Sequence, residues 1–128
     1  LSELQMKRML TKTCIYVSPA KYEPFGLTIF EAALSNCVLV LSDISTFREL
    51  WDGAAVFVRP DDEVQLAEKI NALLKDKDRQ KIMSVKAKQR ASRYSINKMC
   101  KSYHRLYRDL LLLNIVNQNY TAVKSNEI

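Results

Sequence analysis

Residues 14–41 run Cys14-Ile15-Tyr16-Val17, Ser18-Pro19-Ala20-Lys21-Tyr22-Glu23-Pro24-Phe25-Gly26, Leu27-Thr28-Ile29-Phe30-Glu31-Ala32-Ala33-Leu34-Ser35-Asn36-Cys37, Val38-Leu39-Val40-Leu41. The outer segments are continuously apolar rather than alternating, the pattern of strands covered on both faces. Between them, Leu27 to Ser35 reads as a helix. A third apolar run, Ala54-Ala55-Val56-Phe57-Val58, follows a short helical segment around Phe47 to Leu50. Strand, helix, strand, helix, strand predicts an α/β fold with three parallel strands between helices. Ligands of such sheets bind beyond the carboxyl ends of the strands, so the loops starting at Ser18, Ser42 and Arg59 are the candidate site.

Beyond Pro60 the character changes. Asp61 or Asp62 can cap a helix, Asp62 with Gln65 has capping-box spacing, and Leu66, Ile70, Leu73 and Leu74 form one apolar stripe. A second helix is predicted from about Lys77 to about Ala91. A third opens at Ser95, with Met99, Tyr103, Leu106, Leu110 and Leu113 at amphipathic spacing. From Asn114 the periodicity stops and a flexible tail over 114–128 is expected, leaving 1–113 as the ordered part.

Composition narrows the chemistry. The chain has 128 residues, 48% of them hydrophobic and 27% charged, enough for one domain with a core. Only Gly26 and Gly53 are glycine, so neither G-x-G-x-x-G nor a P-loop is present. Cys14, Cys37 and Cys100 lack metal-ligand spacing and suggest a reducing, intracellular setting, with the thiols in or near the core. With His104 the single histidine and no G-x-S-x-G elbow, neither a metal site nor a serine triad is expected. No apolar run approaches the roughly 20 residues of a membrane span, and Leu1-Ser2-Glu3 does not begin a signal peptide. The chain reads as cut from something longer. Asn119-Tyr120-Thr121 completes a glycosylation sequon without secretory context.

Charge divides unevenly. Residues 1–58 hold five Lys/Arg against six Asp/Glu; residues 59–128 hold fifteen against eight, which accounts for the net +6. A patch such as Lys86, Lys88, Arg90 and Arg93 could meet an anionic membrane surface, or simply be a solvated face. Nucleic acid is disfavoured, because neither a recognition motif nor interleaved aromatics accompany the charge.

The loop and helix at 18–35 carry the chemistry. The unpaired N–H groups of a helix start suit a phosphate, and Gly26 there leaves room for close approach to the backbone. The helix looks apolar nearly all round, while Thr28, Glu31 and Ser35 share one stripe. Glu31 is therefore either a surface or ion-paired residue, or part of a polar cleft that Glu23 enters from the phosphate end. Two carboxylates beside an anion-binding helix end suit a ligand bearing both hydroxyls and phosphates, such as a sugar nucleotide. Lys21 could reach a phosphate but reads better as a solvated lysine, and Gly53 reads as a turn.

Tyr22 to Ala32 resembles the E-x7-E motif of retaining GT-B glycosyltransferases, the glycosyl transferases group 1 domain of the family 4 type. Ser18-Pro19, Val38 to Ser42, Phe47-Arg48-Glu49-Leu50, Gly53-Ala54-Ala55, Pro60 and Gln65-Leu66-Ala67 extend the likeness over about residues 3–112. It implies a partial Rossmann-like sheet, the later part of a C-terminal donor-binding domain, with a C-terminal helical segment. It implies that Glu23, the catalytic-site carboxylate, contacts hydroxyls of the donor sugar. The amides of Phe25, Gly26, Leu27 and Thr28 would bind sugar and diphosphate oxygens, and Glu31 the ribose. The expected donor is a UDP-, GDP- or ADP-sugar, without a bound metal or cofactor. The acceptor would be a saccharide or a lipid-linked saccharide, held by an absent N-terminal domain. The expected location is cytoplasmic, peripheral at the membrane face. The Arg and Lys pair that binds diphosphate in relatives is also absent, and neither Lys21 nor Arg48 aligns with it, so the chain alone is expected to be inert. The alternative is a non-catalytic nucleotide-sugar-binding module or a basic interaction module. Where the family has Gly and Pro after the motif helix, this chain has Asn36 and Val38, and Asn36 can still end the helix in a left-handed conformation.

Overall fold

A computed structural model describes residues 2–94 and 96–125, without the side chains of Glu3, Ile96, Met99 and residues 114–125. Leu1–Arg93 and Tyr94–Ile128 are separate units. In the first, the order is α1 (Glu3–Lys12), β1 (Ile15–Ser18), α2 (Leu27–Leu34), β2 (Val38–Ser42), α3 (Ser45–Trp51), β3 (Val56–Val58), α4 (Glu63–Lys75) and α5 (Lys77–Ala91). The three strands are parallel in the order β1-β2-β3, with Ile15 opposite Val38 and Val40 opposite Val56. The predicted α/β architecture is the observed one.

Apolar continuity in β2 follows from cover on both faces, and every one of its residues is buried. Val38 and Val40 point into a core with Val56, Val58 and Leu73, against which Ile15, Val17, Leu66 and Met83 pack. Leu39 and Leu41 point the other way, among Leu10, Ile29, Phe30, Phe47, Trp51 and the alanines of α2 and α5. Burying side chains of this size contributes roughly 1.5–3 kcal/mol each. Ala32 and Ala33 of α2 share that core with Ala87 and Ala91 of α5, and such small side chains let helix backbones lie close.

The ends of the helices are closed by specific groups. Asp62 accepts from the Gln65 amide at the start of α4, but the Gln65 side chain accepts from the Arg59 amide, so the expected capping box is only half formed. Asp76 ends α4 and caps α5 through the Arg79 amide, and the buried Gln80 donates to the Leu73 carbonyl at 2.6 Å. Asn36 is left-handed at φ 66°. With the Cys37 amide on the Ala32 carbonyl and the Asn36 amide on the Ala33 carbonyl, α2 ends in a Schellman motif without glycine. α1, which periodicity around the strands does not reveal, opens with a capping box between Ser2 and Gln5.

Two expectations need correction. Of the cysteines only Cys37 is buried; Cys14 and Cys100 are exposed, because Cys14 lies in the bend before β1 and Cys100 on α6. α6 (Ile96–Ser125), in the second unit, continues past Asn114, since 114–125 contains neither Gly nor Pro to break it. The expected helix start at Ser95, and residues 126–128 of the expected tail, lie outside the described residues.

Arg90 of α5 donates to the Leu50 carbonyl at 2.8 Å and the Asp52 carbonyl at 2.9 Å, capping the C-terminus of α3. It is therefore occupied and leaves the basic patch. Arg90→Ala should lower unfolding free energy by about 1–3 kcal/mol, while Lys88→Ala on the exposed side of α5 should change it by less than about 0.5 kcal/mol. Urea denaturation of both variants measures the contrast.

Candidate functional site

The carboxyl ends of β1, β2 and β3 release the loops that start at Ser18, Ser42 and Arg59, and contacts tie these loops together. Thr46 donates through its hydroxyl to the Glu23 carbonyl at 2.9 Å, fastening the first loop to α3. Lys21 pairs with Asp61 at 2.8 Å, so the lysine read as a possible phosphate contact is engaged across the loops. Both partners are well exposed, which makes that pair a weak restraint. The Asp43 amide donates to the Val58 carbonyl at 2.7 Å.

Arg48 is the hub of the middle loop. Its guanidinium donates to both carboxylate oxygens of Asp43 (2.6 and 2.8 Å) and to Asp52 (3.0 Å), and lies 4.0 Å from the ring centre of Phe57. Three of its five N–H donors are thus engaged by neighbouring carboxylates. Its hydrogen bonds and charge hold the Asp43 carboxyl below its ordinary range, and the Gln65 amide and then Arg59 do the same for Asp62.

Gly26 carries the helix start. Its φ of 70° lies in the left-handed region, and a β-carbon there would sit 2.7 Å from Cδ1 of the buried Ile29 and 3.4 Å from Cγ of Glu23. Packing against Ile29 and backbone conformation thus both require glycine, where the sequence suggested ligand approach alone. Glu23, half-buried, turns Oε1 onto the Gly26 amide at 3.0 Å and the Phe25 amide at 3.5 Å. Two of the four amides expected to meet a ligand are therefore covered by a carboxylate. Those of Leu27 and Thr28 have no acceptor among the described residues. The Thr28 hydroxyl accepts from the Tyr16 hydroxyl at 2.9 Å, which ties α2 to β1.

Leu27 and Leu34 are 69% and 50% exposed, so α2 is not buried all round as its composition suggested. With Thr28 and Glu31 they form its open face. Glu31 needs no buried partner because it is exposed there, bordering an 830 Å³ groove between α1 and α2 lined also by Lys7, Leu10, Thr11, Ser35 and Asn36. Glu23 does not line that groove. The structure places the two carboxylates at different stations of α2, one over its first amides and one on the open face a turn further along. At the carboxyl edge a 140 Å³ cavity lies among Pro19, Ser42, Val58, Arg59, Asp61 and Asp62. Sequence reading missed the Arg48–Asp43–Asp52 cluster, although an Arg between Asp residues at −5 and +4 was a signal for it.

Residues 1–90 match the Glycosyl transferases group 1 family. The chain belongs to that family. Over 59 residues, 46% of this chain, it is 37% identical to the O-antigen chain mannosyltransferase RfbU of Salmonella typhimurium, and the match covers 17% of that protein. Among solved structures, sucrose-phosphate synthase from Thermosynechococcus elongatus superposes with a TM-score of 0.74 at 22% identity, covering 82% of this chain and 27% of that one. TarM superposes with a TM-score of 0.69 at 21% identity, covering 84% and 22%. These neighbours share the GT-B fold, and the chain spans about a quarter of their length or less. Among the described residues of this group 1 family chain, no three His, Cys, Asp or Glu side chains converge to hold a metal ion.

Two measurements follow from the geometry. Gly26→Ala and Gly53→Ala both force a left-handed alanine, costing about 1–2 kcal/mol each. Only the first meets neighbours, since nothing lies within 4 Å of a β-carbon at Gly53. Gly26→Ala should therefore lower the melting temperature clearly more than Gly53→Ala. The lowered Asp43 carboxyl stabilises the fold fully above the ordinary carboxylate range, and that contribution disappears as pH falls through its depressed folded value. Asp43→Asn should flatten the acid limb of a melting-temperature profile against pH and lower its plateau at neutral pH.

Proposed function

We propose that this chain is the donor-binding part of a longer glycosyltransferase that moves a glycosyl group from a nucleotide sugar to an acceptor with retention. What carries the reading is Glu23-x7-Glu31 set on the loop and helix that follow β1, with free amides at Leu27 and Thr28 and an exposed carboxylate at Glu31. A helix start with unengaged N–H groups is a prepared site for a diphosphate, and preorganised amides stabilise the charge that grows on the leaving group.

In this reading Glu23 acts as an internal placeholder. Its carboxylate accepts from the Phe25 and Gly26 amides. When donor binds, diphosphate and sugar oxygens take over those amides and Glu23 turns to accept from sugar hydroxyls. Glu31 accepts from the ribose hydroxyls across the open face of α2. The donor is a UDP-, GDP- or ADP-sugar, and the mannosyltransferase relative makes a mannosyl donor the first to test. Transfer also requires an acceptor-binding domain and cationic groups for the diphosphate, so the isolated chain is inactive.

For a lipid-linked acceptor, we propose transfer at the cytoplasmic face of a membrane. α6 favours a peripheral contact there: Lys98, Lys101, Arg105 and Arg108 fall on one side by helical period, with Tyr103, Leu106, Leu110 and Leu113 on the other. No helix among the described residues is long and apolar enough to cross a membrane.

In the longer protein, Glu23→Gln and Glu31→Ala should each lower kcat/KM by roughly 10- to 100-fold, the worth of a charged hydrogen bond, without changing the melting temperature by more than a few degrees. Initial rates with varied donor test this. Unchanged rates in both variants would refute the donor assignment.

A further inference from the structure

Two of the cysteines lie on adjacent chain segments at the amino edge of the sheet. Ile15 and Val38 form the first pair of the parallel β1–β2 ladder, and the Val38 amide donates to the Cys14 carbonyl at 2.8 Å, so Cys14 and Cys37 are the residues that immediately precede that pair at the amino edge. Neighbouring parallel strands lie about 4.8 Å apart, and a disulfide needs a Cα separation of about 4.4–6.8 Å. Paired residues of a parallel ladder project to the same face. Ile15 and Val38 both join the core under α4, whereas Tyr16, Cys37 and Leu39 belong to the opposite one, and the same alternation continued one residue before β1 would carry Cys14 to the side of Cys37.

The pair is asymmetric. Cys14 is exposed and open to a reagent, while Cys37 is buried, its thiol donating to the Thr13 carbonyl at 3.2 Å and lying 3.5 Å from the Leu10 carbonyl. Burial raises the pKa of the Cys37 thiol, and the charge of the neighbouring Cys14 pushes in the same direction. The third cysteine, Cys100, is exposed on α6.

We propose that Cys14 and Cys37 are a redox-active dithiol that closes into a reversible disulfide between the α1–β1 and α2–β2 junctions. The oxidant is a low-molecular-weight disulfide. The Cys14 thiolate attacks one of its sulfurs, forming a mixed disulfide and expelling one thiolate. Cys37 then gives up its proton, and its sulfur attacks Sγ of Cys14, expelling the second thiolate. Two thiols of the chain are oxidised and one small disulfide is reduced to two thiols, with the two protons passing to the leaving thiolates. The closed bond straps Cys37 beside Asn36 and Ser35, on the rim of the groove that Glu31 borders.

The test is thiol–disulfide exchange on the whole chain with oxidised glutathione at mildly alkaline pH, followed by intact mass and a non-reducing peptide map. In the Cys100→Ser chain, where no third thiol can take up glutathione, the expected product has lost two hydrogens, keeps no titratable thiol, and links the peptide bearing Cys14 to the peptide bearing Cys37, with dithiothreitol restoring both thiols. Cys100→Ser should leave the bridge intact. Cys14→Ser, an exposed change that spares the core, should abolish the two-hydrogen loss while leaving the circular dichroism spectrum unchanged. The proposal is overturned if Cys14 stops at its glutathione adduct, if the linked peptides contain Cys100 or two copies of Cys14, or if Cys14→Ser still loses two hydrogens.

Discussion

Burial of β2 from both faces and along both edges is the constraint on which the first unit depends. Val38 to Ser42 can be removed from water only if β1 and β3 take its hydrogen bonds, and only if separate layers of side chains cover its two faces. Those requirements place α2 and α5 on one side and α4 on the other. They also set the carboxyl ends of all three strands at one edge, so the loops with Glu23, Asp43 and Arg59 emerge together. The candidate site is a consequence of how the central strand is buried.

At that edge the charged residues mostly serve the fold. Arg48 locks the turn after β2 through Asp43 and Asp52, Lys21 joins the first loop to the third, and Arg90 closes the end of α3. Cations that look available in the sequence thus have carbonyl or carboxylate partners nearby. The same economy governs Glu23, which covers two amides at the start of α2. Leaving such amides bare in a half-buried loop is costly, and the Glu23 carboxylate lowers that cost.

Much of this was legible residue by residue. The strands, their parallel arrangement and the ends of α2, α4 and α5 follow from apolar runs, periodicity and capping residues, because those signals are local. α1 was overlooked although Ser2 and Gln5 announced it, since its two deepest residues, Met6 and Leu10, make too short a stripe to stand out. The exposure of Leu27 and Leu34 could not be read, because composition says that a helix is apolar but not how much of its surface neighbours cover. The likeness to a glycosyltransferase motif was readable because it lies in one continuous stretch.

By itself, the sequence determined the element order, the parallel sheet, the glycine at the start of α2 and the family. These depend on local conformational preference and on hydrophobic period, which travel with the residues. Only the tertiary structure decided which charges are free. Lys21 and Arg90 find partners about 40 positions away. Such pairings are made by the packing of elements distant in the chain, and no spacing within one segment encodes them.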